Sequence, residues 1–206
     1  MTRTLVLSAD GGETIPVPRF TRAELDAFRG VTVPDLLPDG ELKLLFVGIN
    51  PGLWTAAVQT HFAHPVNRFY PALYAAGIIT QRIDPATGTT SAERELLTGR
   101  GIGICNLVQR ATARADELSK AELLAGAASL VELVQARRPL VVVVAGITAY
   151  RVAFARPKAI EGRQPETIAD SILWVVPNSS GLNAHETVAS LARKYAEPAR
   201  VAGILD

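Results

Sequence analysis

Four short, mainly apolar runs constrain this chain more than any other feature: LLFV at residues 44–47, GIGICNLV at 101–108, LVVVVA at 140–145 and ILWVV at 172–176. Runs of this length without polar alternation are the pattern of strands buried on both faces. Helical stretches lie between them. TRAE at 21–24, TSAE at 90–93 and SKAE at 119–122 have the spacing of capping boxes. After the last of these, Leu123, Ala127, Leu130, Val131 and Val134 fall on one helical face, and Pro139 ends the helix. Further helices are expected over residues 67–76, 146–155 and 186–201. Strands that alternate with helices predict a short central, mainly parallel sheet covered on both faces, a three-layer α/β/α sandwich.

At 206 residues the chain has room for one full-sized domain and not for two. Pro34, Pro38 and Gly40 make a broken approach to the first strand, so residues 1–33 are expected as an N-terminal extension and 34–206 as the single domain. The longest apolar run is far below a membrane span, and no membrane partner is expected. The opening residues, MTRTLVLSADGG, lack the apolar region and cleavage site of a secretory signal. The single cysteine, Cys105, excludes an internal disulfide and a multi-cysteine metal site. A reducing cytoplasm is the expected setting. A net charge of +1 neither demands nor excludes nucleic acid, because a protein neutral overall can be basic on one face.

In open α/β sheets ligands bind beyond the carboxyl ends of the strands, which points to the loops at 49–66, 109–118, 146–148 and 177–185. GINPG at 48–52 follows the first strand. Pro51 pushes Asn50 out of the helical region, so Asn50 either presents its amide to a ligand or merely bonds the backbone of a tight turn. PNSSGLN at 177–183 follows the last strand. Its Asn178, Ser179 and Ser180 supply polar groups, and Leu182 either folds back into the core or projects as an apolar tip. Asn183 and Glu186 have N-cap and N3 spacing, which would open the last helix at an anion-favouring terminus. Between these loops lies FAHPVNRF at 62–69. Phe62 offers a ring face for a base, His64 is either a ligand contact or structural, and Arg68 is either a phosphate contact or a surface ion pair.

GINPG, FAHPVNRFY and VPNSSGLN, in this order and with GIGICNLVQRATARADELS between the second and third, resemble the mismatch-specific uracil and thymine DNA glycosylases. The resemblance runs from about Pro34 to the C-terminus and implies the uracil-DNA glycosylase-like α/β/α fold. It implies further that Asn50 holds the attacking water, and that Ile49 lines the base pocket. Phe62 would stack on the flipped pyrimidine, Asn178 would lie near the base and sugar phosphate, and Thr112 would border the site. Leu182 would be the wedge that enters the duplex, with Ser180, Gly181, Asn183 and Arg68 along the DNA backbone. Some relatives carry an arginine two residues after the wedge that contacts the guanine left behind. Here that position is Ala184, followed by His185, which puts recognition of the opposing guanine in question.

The implied activity is hydrolysis of the N-glycosidic bond of uracil, with thymine or other modified pyrimidines as further candidates, by base flipping and water attack. The expected partner is double-stranded DNA carrying G·U or related mispairs, and the expected state is a monomer in the cytoplasm, at the nucleoid. An amide orients water but does not accept its proton. Asp116, in ARADELS, is therefore either a general base or electrostatic stabiliser at the water or the sugar cation, or a solvated loop acid. No cofactor or metal is expected: His61, His64 and His185 are not spaced with other ligands as a zinc site would be. Three alternatives stay open: a uracil-removing relative indifferent to the opposing base, a nucleoside hydrolase, and a binder that recognises damage without catalysis.

Overall fold

In the computed structural model, which describes residues 18–206, every position of β1 (Leu44–Gly48) is buried. Residues 1–17 of the expected extension lie outside the described residues. Side chains alternate across a strand, and β1 separates the two halves of the core accordingly. Leu44 and Phe46 pack with Phe69, Leu73, Leu191 and Tyr195 on one side of the sheet. Leu45 and Val47 pack with Leu123, Leu130, Val134 and Tyr150 on the other. These partners come from α3 (Phe69–Ala75) and α7 (Val188–Val201) on the first face, and from α5 (Lys120–Arg137) and α6 (Ile147–Ala153) on the second. The layers are α/β/α, as the apolar runs predict.

The sheet has five strands in the order β2-β1-β3-β5-β4. β2 (Ile102–Asn106), β3 (Val141–Ala145) and β5 (Ser171–Val176) run parallel to the neighbours that link them to β1. β4 (Gly162–Ile168) is antiparallel to β5, and the apolar-run pattern gives no sign of it. Its sequence, GRQPETI, is polar and carries Pro165, because only Gln164 and Ile168 turn inward from an edge position where a missing N–H is tolerated.

Two further expectations are corrected. The segment at 49–66 is not all loop, since it holds α2 (Leu53–Val58), whose Leu53, Thr55 and Ala56 are buried. The last helix opens at Thr187, whose hydroxyl accepts from the Ser190 N–H, and not at Asn183. Asn183 is already committed within its loop, and the Glu186 carboxylate goes to Ser190 Oγ and Lys194 Nζ, each at 2.6 Å. The capping boxes at Thr21, Thr90 and Ser119 form as expected, opening α1 (Arg22–Asp26), α4 (Ser91–Thr98) and α5.

Residues ahead of the first strand cover the outer edge of β2. Leu36 and Ile104 exchange backbone hydrogen bonds at 2.9 and 2.7 Å, and Ala111 is bonded to Gly30 and Val31. Val33 is buried with Leu53, Ala56 and Ala111, and Leu25, Phe28 and Val31 pack against them. The carboxyl ends of β1, β2, β3 and β5 share one rim of the sheet, with Gly48 opposite Asn106 and Ala145 opposite Val176.

Candidate active site

The chain leaving β1 at this rim is zipped to the chain leaving β2. Leu107 and Val108 N–H groups bond the Gly48 and Ile49 carbonyls, and Thr112 N–H bonds Pro51 O. This places the Asn50 amide beside a ring of acceptors. Its Nδ2 lies 2.7 Å from Thr112 Oγ1, 3.0 Å from Arg110 O and 3.2 Å from Pro51 O. Thr112 Oγ1 donates its own proton to Arg114 O at 2.7 Å, so it can only accept from Asn50. The amide orientation is thereby settled: the nitrogen points inward, and among the described residues no donor is bonded to Oδ1. Asn50 offers the site an acceptor. Ile49, beside it, is half-buried against the α5/α6 side of the core.

A second amide, Asn106 at the end of β2, was not singled out in the sequence. It is buried, and its Nδ2 lies 3.1 Å from His61 Nδ1. His61 Nε2 lies 2.9 Å from Pro34 O, a carbonyl that only accepts, so Nε2 carries the proton and Nδ1 accepts from Asn106. Burial pushes the His61 pKa down to about 4, against the opposing pull of the Pro34 carbonyl, so the imidazole is neutral at physiological pH. The Asn106 oxygen then turns toward Gly48. A Cβ added at Gly48 would sit 2.4 Å from that oxygen and 3.2 Å from Phe62 Cζ, and only glycine leaves the space. Phe62 itself holds φ 55°, uncommon for a bulky residue and costing on the order of 1–3 kcal/mol. One face of its ring stacks on Phe69, with centroids 4.0 Å apart.

The loop after β5 braces itself. Asn178 Oδ1 accepts from Ser180 N at 2.9 Å, among the described residues no acceptor is bonded to its NH2 group, and Asn183 Nδ2 bonds back to Asn178 O. Asn178 thus offers a donor where Asn50 offers an acceptor. Their loops leave strands separated by β3, two strand spacings of ~4.8 Å each. Leu182 does not fold back into the core. It is 90% exposed, the most exposed of the large apolar residues described.

The model of the uracil DNA glycosylase superfamily matches residues 34–198. The match takes in the strands and all three loops just described. The chain belongs to that superfamily. Membership brings DNA glycosylase activity on uracil, a hydrolysis within base excision repair whose substrate is DNA.

Within this uracil DNA glycosylase framework the expected residues separate into groups. Asn50 and Thr112 meet directly, and Ile49 is adjacent to Asn50 in the chain. Phe62 lies against Gly48, and Asn178, Ser180, Gly181, Leu182 and Asn183 form one braced tip. Asp116 stands apart from these bonds. Its carboxylate is exposed and forked by Arg114, at 2.6 and 3.1 Å. Among the described residues Arg68 forms no ion pair; its half-buried guanidinium bonds the carbonyls of Ser180, Gly181 and Asn183. His64 packs edgewise on Trp54 and accepts from Val66 N–H. The middle loop is tied to the start of α5 by Arg110, which bonds both oxygens of Glu122 and pulls its pKa down to about 2. Among the described residues, no three His, Cys, Asp or Glu side chains gather as a metal-binding group.

Proposed function

We propose that this chain excises uracil mispaired with guanine from duplex DNA, using a water oriented by Asn50, and leaves an abasic site. The observation that carries the reading is the inward lock on the Asn50 nitrogen, which presents Oδ1 as the acceptor a nucleophilic water needs. A water that donates one proton to Oδ1 keeps a lone pair for the anomeric carbon. Cleavage then leaves a pyrimidine anion, and the NH2 of Asn178, whose Oδ1 is held by Ser180 N–H, would be a donor for that charge, a preorganised stabilisation. Asn106 Oδ1 would accept the ring N3–H that uracil and thymine carry and cytosine lacks. Phe62 supplies the stacking platform, with Ile49 and Thr112 along the pocket wall.

A base must leave the stack to be reached, at a cost of a few kcal/mol, and Leu182 filling the vacancy offsets part of it. The backbone at Ser180, Gly181 and Asn183 would then track the sugar phosphate. None of the three site loops contains lysine, which supports a monofunctional enzyme, because strand cleavage at an abasic site needs an amine nucleophile. Asn50 cannot take the water's proton, so turnover is slow unless a carboxylate assists. Asp116 serves as general base only if Arg114 releases it.

A second reading, excision indifferent to the opposing base, is favoured by Ala184, an exposed side chain with no hydrogen-bonding group beside the wedge. Single-turnover cleavage of labelled duplexes carrying G·U, A·U and G·T, and of single-stranded uracil, separates the two. Preference for G·U, lost in Asn50→Ala, supports the first reading, and equal rates on G·U and A·U support the second. A sharp drop in Asp116→Asn would make that residue the base. No abasic product from any substrate would overturn the catalytic assignment.

A further inference from the structure

Arg68 is the N-cap residue of α3, and its half-buried side chain crosses to the loop after β5. Its Nη1 bonds Ser180 O at 3.1 Å and Asn183 O at 3.0 Å, and its Nη2 approaches Gly181 O at 3.4 Å. The Arg68 backbone N–H adds a bond to Ser179 O at 3.0 Å. Four carbonyls of one loop, those of Ser179, Ser180, Gly181 and Asn183, thus converge on one residue. The two loops also touch through apolar atoms. A Cβ at Gly181 would lie 2.4 Å from Val66 Cγ2 and 2.7 Å from Val66 O, so the two backbones are in contact there. Val66 is 58% exposed and Leu182 90% exposed, so two large apolar side chains project from the joined tips.

We propose that Arg68 is a positioning residue that locks Leu182 in its inserting posture, and that Val66 forms the shoulder of a composite wedge. The inference rests on the reading that Leu182 enters the duplex. Three carbonyls turned toward one another repel unless a donor satisfies them, and a planar fork with several N–H groups is suited to span them. A rigid wedge needs no ordering when the base leaves, whereas a loose tip must be ordered at that moment. Arg68 therefore acts on opening of the duplex and not on bond cleavage. Its guanidinium donates to loop carbonyls and not to a phosphate, so its loss should leave the salt slope of DNA binding unchanged.

The test compares the wild-type chain with Arg68→Lys, Arg68→Gln and Val66→Ala. The substrates are a G·U duplex and a strand with uracil facing an abasic spacer, where no pair has to open. With 2-aminopurine beside the uracil, fluorescence reads flipping directly. Both Arg68 variants should lose about 10–100-fold on the duplex, and at least ten-fold less on the spacer substrate, with a matching fall in the flipping amplitude. Lysine should not rescue, because a point charge cannot span three carbonyls. Val66→Ala, an exposed change that folding tolerates, should show a smaller loss confined to the duplex, and it carries the test alone if the Arg68 variants do not fold. Rescue by lysine, or a salt slope reduced by about one in Arg68→Gln, would mean a phosphate contact and overturn the proposal. Equal losses on both substrates would overturn it as well. A wild-type chain inactive on every substrate would instead refute the glycosylase reading, and this inference with it.

Discussion

Asn50→Asp replaces one atom and tests the amide lock directly. In the native chain Nδ2 faces Thr112 Oγ1, Arg110 O and Pro51 O at 2.7, 3.0 and 3.2 Å. A carboxylate oxygen in its place meets three acceptors and brings no proton. Thr112 could re-aim its hydroxyl, but only by abandoning Arg114 O. Losing two donated bonds and stranding their acceptors costs about 2–4 kcal/mol at pH 8, a fall of roughly 4–16 °C in Tm for a chain of this size. The acid form restores one donor. The carboxyl pKa in the folded state must therefore rise above its unfolded value of about 3.9. With a raised folded pKa, stability is fully retained below the unfolded value and lost as pH climbs through the folded one. Urea denaturation of both proteins at pH 4.5 and pH 8 should show a difference that grows with pH, whereas Asn50→Ala should show one that does not. A difference below about 0.5 kcal/mol at pH 8, or one equal at both pH values, would mean that the nitrogen does not point inward.

The depressed His61 pKa gives a second pH signature. The unfolded chain binds a proton near 6.5 that the folded one refuses until about 4, so stability should fall by about 3 kcal/mol between those values, and His61→Gln should flatten that slope in parallel melts. Gly48→Ala should cost about 1–3 kcal/mol and abolish uracil excision, because the new methyl displaces Asn106 and Phe62 together; near-native kinetics would show the pocket to be elsewhere. Leu182→Ala should leave urea stability within about 0.5 kcal/mol while duplex excision falls at least ten-fold, and a stability loss without a kinetic one would return Leu182 to a packing role.

What the sequence makes legible is what depends on neighbours in the chain. β1, β3 and α5 announce themselves by continuous apolar runs and a capping box, and they hold their places. β4 does not, because an edge strand with two inward residues has almost no apolar signal to give. α2 is only six residues long and is stabilised by contacts with residues 25–33 and 111, far away in sequence. The site divides in the same way. Asn50 is visible as an amide on a stiff turn, but its orientation is decided by acceptors 60 and 62 residues downstream. Arg68 is visible as a cation, and its true partners lie 112 to 115 residues away. Asn106 could have been found: a polar residue at the carboxyl end of an otherwise apolar buried run is out of place unless it serves the rim.

The two margins of the sheet bear on how the protein behaves at high concentration. An open parallel sheet ends in rows of unpaired N–H and C=O groups, which invite strands from other molecules. At one margin Leu36 takes both backbone bonds of Ile104, and the neighbouring residues continue along the chain to Ala111. At the other, β4 presents Pro165, charged side chains and a break in register to solvent. Both margins are poor templates for intermolecular strand growth. A chain shortened to remove residues up to 36 would bare IGICN of β2, apolar up to its final Asn106, and its first failing would be aggregation rather than lost chemistry.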